Sequence, residues 1–139
     1  MTTKEKQIQL ARYRLKQADD CIDEAFYLFH GKKSARSIIN RVYYAMFYSV
    51  LALLIFEPYS SSKHSGVLTY FNKKFVKEGI FSEEEGRSIN KAFELRQRAD
   101  YRENIETSYE QVEPFLEKAM IFVQKVKEHL ERNVFNSSS

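Results

Sequence analysis

Residues 34–56 read SARSIINRVYYAMFYSVLALLIF, from Ser34 to Phe56, and the fold turns on how this stretch is taken. From Val42 to Phe56 there is no charged residue, and Tyr43, Tyr44, Phe47, Tyr48 and Phe56 stand among Val50, Leu51, Leu53, Leu54 and Ile55. A helix apolar on every side is buried either in protein or in a bilayer. The charge-free run is 15 residues long, short of the roughly 20 that a membrane span requires. Four of its first seven residues are small or polar-tipped (Tyr43, Tyr44, Ala45 and Tyr48), which hydrocarbon disfavours. The stretch is expected to be a central helix surrounded by other helices, with no membrane role.

The rest of the chain supplies those neighbours. Ile8, Ala11, Leu15, Ala18, Ile22, Ala25 and Phe29 recur in steps of three and four, an apolar stripe that predicts a helix from Thr3 to Phe29. His30-Gly31 then fits a helix end, with Gly31 in the left-handed conformation and His30 at the negative end of the dipole. Ser34 suits the cap of the central helix, and Pro58 stops it. A third helix is expected from about Ser62 to Glu78, ended by Gly79, with His64, Val67, Leu68, Phe71, Phe75 and Val76 inward and Lys73, Lys74 and Lys77 outward. Ser82 with Glu85 forms a capping box for a fourth helix running to about Tyr101. Gly86 inside it weakens that helix by about 1 kcal/mol. Thr107 with Glu110 fits a second box, opening a fifth helix through Leu130. Pro114 there costs a hydrogen bond, so a later start or a kink is expected.

The 139 residues hold four Gly and two Pro, too few breakers for a many-turned β fold. Short connections favour antiparallel neighbours. The expected fold is all-α, an up-and-down antiparallel bundle of about five helices in a single domain over residues 1–132. Residues 133–139 are expected to be a disordered tail. A lone cysteine, Cys21, forms no internal disulfide, and the N-terminus lacks a signal-peptide core. Both point to a cytoplasmic location.

Net charge is +3, but residues 31–77 carry eight basic side chains (Lys32, Lys33, Arg36, Arg41, Lys63, Lys73, Lys74, Lys77) against Glu57 alone. Such asymmetry attracts phosphate or an acidic partner; the bland alternative is a solvated face that happens to be contiguous. No Gly-rich phosphate loop, His-Glu-x-x-His or Gly-x-Ser-x-Gly occurs, and His30, His64 and His129 are far apart, so no metal or other cofactor is expected. Three polar clusters remain: Asn40-Arg41-x-Tyr43-Tyr44, Ser62-Lys63-His64, and Arg96-Gln97-Arg98-Ala99-Asp100-Tyr101. Singly each has a structural explanation. Arg96 and Asp100, four apart, form a helical ion pair worth about 0.3–0.5 kcal/mol. The tyrosines pack in the core with hydroxyls at its rim, and His64 is a half-buried imidazole near a helix start.

Together, Arg-x-Tyr-Tyr-Ala-x-Phe (Arg41 to Phe47), Lys63-His64-Ser65-Gly66 and Leu95-Arg96-x-x-Ala-Asp-Tyr resemble the HEPN domain family, in particular its small stand-alone prokaryotic members. The resemblance covers about Lys4 to Leu130. It implies a helical bundle that commonly dimerises. It also implies pairing with a minimal nucleotidyltransferase, often as a toxin–antitoxin module in which the HEPN chain cleaves RNA. Active members share an Arg, then four to six intervening residues, then a His. Arg96 matches the arginine, but Tyr101, Arg102 and Glu103 stand where the histidine belongs. Metal-free RNA cleavage needs a group that titrates near neutrality, and His64 serves only if the third helix carries it to the fourth.

Three readings follow. In the first, the chain is a nucleotide- or RNA-binding or regulatory component of a two-component system with a nucleotidyltransferase, with Arg41, Tyr44, Lys63, Arg96, Asp100 and Tyr101 at the site. In the second, it is a metal-independent ribonuclease toxin acting through Arg96 and His64. The third is a structural interaction module. From the resemblance, Tyr101 is the tyrosine expected to receive AMP from the partner, and a homodimer is expected.

Overall fold

The computed structural model describes residues 1–59, 61, 63–101 and 109–136, with Asp100 and Tyr101 described by backbone alone. Five α-helices follow one another: α1 Thr3–His30, α2 Ala35–Leu54, α3 His64–Phe71, α4 Glu83–Tyr101 and α5 Tyr109–Leu130. A π-helical turn, Asn72–Val76, prolongs α3, and a second, Glu131–Phe135, prolongs α5. No strand occurs among the described residues, so the fold is the all-α bundle that the periodicities require.

The apolar stretch lies at the centre, as its composition demands, and α2 touches each of the other four helices. Ile38, Tyr43, Met46, Val50 and Ala52 are wholly enclosed. By length and composition α2 is the one helix among the described residues able to cross a membrane, and 67% of its apolar window is buried by the rest of the protein. Long-range polar contacts fix the directions. Gln7 Nε2 donates to the Ile55 carbonyl at 3.2 Å, so α1 starts where α2 ends. Arg12 meets Glu131 at 3.4 Å and Lys127 meets Asp19 at 2.6 Å, so α5 runs antiparallel to α1. A Phe-rich layer (Phe71, Phe75, Phe81 and Phe122) closes the bundle beside α3, with centroids 5.3–6.2 Å apart.

Local chemistry accounts for the helix ends. Thr2 and Ser34 accept from the N–H groups of Glu5 and Ser37. The Ser82 capping box is complete: Ser82 N–H donates to Glu85 Oε1 at 2.7 Å, and Glu85 N–H to Ser82 Oγ at 3.1 Å. Lys125 adds its ammonium to the same carboxylate at 2.7 Å. Burial pushes the Glu85 carboxyl up, but the Lys125 and Ser82 hydrogen bonds outweigh it and hold the carboxyl below its ordinary range.

Several expectations are corrected or refined. Gly31 has φ −80°, and it is Lys32 that enters the left-handed region with φ 55°. The helix runs one residue further, through His30, and the N–H groups of Gly31, Lys32 and Lys33 close its last carbonyls. The third helix is not uniform: the N–H of Lys77 reaches back to the Asn72 carbonyl at 2.9 Å, five residues away. Gly79, with φ +84°, ends it as expected. Gly86 is not merely a weakness in α4. A Cβ there would lie 2.6 Å from Asn72 Oδ1 and 3.0 Å from Val76 Cγ2, so its bare backbone lets α4 sit against the π turn. Pro114 lies inside α5, which starts at Tyr109.

Residues 133–135, expected in a tail, continue the helical end. Phe135 is buried, 6.5 Å from the Phe56 ring, and the Arg12 guanidinium lies 4.2 Å above it. The connection expected at 102–106, the Thr107–Ser108 cap and residues 137–139 lie outside the described residues.

Candidate functional site

The site grows from Tyr43, Tyr44 and Phe47, which α2 projects as an aromatic ledge. Tyr43 and Phe47, one turn apart, stack with centroids 5.6 Å apart. Tyr44 meets Tyr43 edge-on at 5.2 Å. The first residue of α3, His64, settles on this ledge. Its ring stacks on Phe47 at 4.1 Å and 23° and lies 5.8 Å from Tyr43 and 5.9 Å from Tyr44. His64 Nδ1 and the Tyr43 hydroxyl are 2.8 Å apart. Arg96 comes in from α4. Its guanidinium carbon lies 5.8 Å from the Tyr43 centroid and 5.3 Å from that of Tyr44, within the range of cation–π attraction. Phe93, one turn earlier on α4, packs on Tyr43 at 5.6 Å.

The electrostatics of this hollow favour neutral side chains beside one fixed cation. Burial, then the Arg96 charge, lower the His64 pKa, so the imidazole is neutral at pH 7. Burial, with Tyr44 adding to it and Arg96 opposing, raises the Tyr43 pKa, and the phenol keeps its proton. A protonated phenol can donate to Nδ1, which leaves the imidazole proton on Nε2; the reverse tautomer donates from Nδ1 and leaves Nε2 with a free lone pair. In either arrangement Tyr43 sets the ring's orientation.

The residues expected at the site are not all gathered. Arg96, His64 and Tyr44 share one half-buried hollow. Arg41 meets the hollow only at its edge, 5.6 Å from the Tyr44 centroid. The partners of Arg41 lie elsewhere: Asn40 Oδ1 at 2.7 Å, Glu24 at 3.7 Å and Cys21 Sγ at 3.5 Å. Bordering an apolar run, its charge is met by α1. Lys63 is exposed just before α3, its N–H bonded to Ser61 Oγ at 3.2 Å. Asp100 and Tyr101 lie in the last turn of α4, and their side chains fall outside the described residues. Sequence reasoning assigned Tyr43 to the core and passed over its bond to His64. The available signal was the Tyr43–Phe47 spacing, which makes a shelf for a third ring. A partner 21 residues along the chain leaves no local mark.

The arrangement defines a class: an all-α bundle that presents a neutral, oriented imidazole beside a guanidinium on an aromatic ledge. A profile of the HEPN domain matches residues 11–129, and the chain belongs to that family. It is 41% identical over 131 residues to a UPF0332 protein of Thermotoga maritima, covering 94% of this chain and 96% of the relative. Two proteins of Methanocaldococcus jannaschii, each named "Putative toxin", are similar too. One is 38% identical across 91% of this chain and 80% of its own length, and the other 37% identical across 81% and 83%.

Proposed function

We propose that this chain is the toxin-type half of a two-component system, and that the hollow between α2, α3 and α4 binds an RNA or nucleotide phosphodiester. The observation that carries the reading is that His64 and Arg96, 32 positions apart in the chain, rest on the same two tyrosine rings. Arg offers a planar fork suited to phosphate oxygens, and Tyr44 offers a half-buried ring for a base or ribose to pack against. Family resemblance supplies the expected partner, a minimal nucleotidyltransferase, and the expected homodimer. Lys63, Asp100 and Tyr101 belong to the proposed periphery, and Tyr101 is the proposed acceptor of an AMP group.

The test is direct. Full-length protein is titrated into fluorescent single-stranded RNA in EDTA, with Arg96→Ala alongside and its helicity checked by circular dichroism. Binding that is lost in the variant with the fold retained supports the reading. No binding at micromolar protein, or binding untouched by the substitution, overturns it.

A second reading, cleavage, is favoured by the same geometry, since it sets an imidazole and a guanidinium where both could meet one phosphodiester. A depressed pKa leaves His64 neutral at pH 7, the state required of a general base. Its ring can take the proton of a 2′-hydroxyl, whose oxygen then attacks the adjacent phosphorus. The 5′-oxygen leaves and takes up a proton, giving a 2′,3′-cyclic phosphate and a 5′-hydroxyl. Arg96 offsets the charge that gathers on the phosphorus oxygens. Loss of RNA length in EDTA, absent from His64→Phe, is the expected signature. Intact RNA after prolonged incubation with the bound protein rejects cleavage and leaves binding in place.

A further inference from the structure

Beside the hollow, between α3 with its π turn and α4, runs an open groove of about 620 Å³. Leu68 and Phe93 form its apolar floor, Asn72 and Asn90 its flanks, and Lys73 and Lys77 its rim. Phe93 is also the ring that packs on Tyr43 at 5.6 Å, and Ser65, which also lines the groove, directly follows His64. The groove therefore abuts the hollow.

The charge of the groove is one-sided. None of its lining residues carries a carboxylate. Lys73 and Lys77 are exposed, and among the described residues neither has an ion-pair partner, whereas the intervening Lys74 is engaged by Glu78 at 3.4 Å. Both asparagine side chains are fixed: Asn72 Nδ2 donates to the Leu68 carbonyl at 2.8 Å and to Asn90 Oδ1 at 3.1 Å. That leaves Asn90 Nδ2 as a donor on the flank. A basic rim above an aromatic floor is the combination that holds single strands, because lysines meet the backbone while bases pack on rings regardless of sequence. From His64 to Lys77 the helix rises roughly 20 Å, at most about six stacked nucleotides.

We propose that this groove, floored by Phe93 and rimmed by Lys73 and Lys77, is the track along which a single-stranded RNA runs into the Arg96–His64 hollow. The inference rests on the reading that the hollow takes an RNA phosphodiester. It assigns to two lysines outside the hollow the role of contacting phosphates flanking the bound one.

Two double variants of the full chain separate the possibilities: Lys73→Gln with Lys77→Gln in the groove, and Lys6→Gln with Lys16→Gln on α1, which remove the same charge elsewhere. Each is titrated by fluorescence anisotropy against a labelled single-stranded RNA of about 12 nucleotides over a range of KCl concentrations. The groove variant is expected to bind roughly tenfold more weakly at low salt. Its log–log salt slope should be shallower by about 1.4, two contacts at about 0.7 each. The α1 variant should track the wild type. Equal weakening in both variants, or an unchanged groove variant whose binding is still abolished by Arg96→Ala, overturns the track and leaves the hollow standing. A wild-type protein that binds no RNA removes the hollow and the track with it.

Discussion

The bond between Tyr43 and His64 can be tested apart from any activity by a double-mutant cycle. Tyr43 is wholly buried and its hydroxyl has His64 Nδ1 as partner at 2.8 Å. Tyr43→Phe removes one neutral hydrogen bond, worth about 1 kcal/mol, and leaves behind a half-buried nitrogen that water can reach. His64→Phe keeps a flat ring on Phe47 but strands a buried phenol, a cost of about 1–3 kcal/mol. Making both changes replaces a polar pair with two apolar rings of similar shape, which is close to neutral. The singles should therefore sum to about 2–4 kcal/mol while the double variant lies within about 1 kcal/mol of wild type. Urea denaturation at pH 8, where the imidazole is neutral whatever its surroundings, gives the four stabilities. In thermal melts about 1 kcal/mol corresponds to roughly 3–5 °C for a chain of this size. A double variant whose loss equals the sum of the singles would show that the two side chains do not interact, and the orientation argued for His64 would fall with it.

Further outcomes follow from other parts of the structure. Burial lowers the pKa of His64, with Arg96 reinforcing it, and of His129, with Glu57 opposing. A histidine whose folded pKa lies below its unfolded value leaves stability unaffected above about pH 6.5 and costs stability as pH falls below that. Wild type should lose stability between pH 7 and pH 5.5, and His64→Phe should lose less of its own; equal losses refute this. Gly86→Val should destabilise the fold by roughly 1–3 kcal/mol through overpacking against Val76, despite the gain in helix propensity, and a raised melting temperature would contradict the close contact. Phe135→Ala should lower stability by roughly 2 kcal/mol, the discount from about 3–5 reflecting its place near the chain end. An unchanged melt would mean that the terminal turn packs only loosely.

What the sequence disclosed depended on range. Contacts within one turn were readable: Ser82 and Glu85 are three apart and bond as their types dictate, and the stripe on α1 needs only its own period. The charge-free run identified α2 as central because no other environment in a chain of this composition accepts it. Contacts across the bundle were not readable. Arg41 needed a carboxylate or amide, but nothing local decided between the site and Glu24 on α1. His64 was known to be useful only beside α4, and that depended on how far the connection after Pro58 carries α3. Gly86 was scored as a liability because propensity is local, whereas its reason for being small is Val76, ten residues away and on another element.

The π turn at Asn72–Val76 has a consequence for engineering. A turn with five-residue spacing holds one residue more than an α-helix needs, so the chain beyond it is rotated by about 100° from where an uninterrupted helix would place it. Phe75, near the end of that turn, meets Phe71, Phe81 and His129. Excising Lys73 or Lys74 would restore regular winding, but it would swing this phenylalanine out of the interior and carry the following lysine, Lys77, away from the groove. Trimming there would be more disruptive than most point changes, although the exposed lysines make the segment look like a tolerant surface.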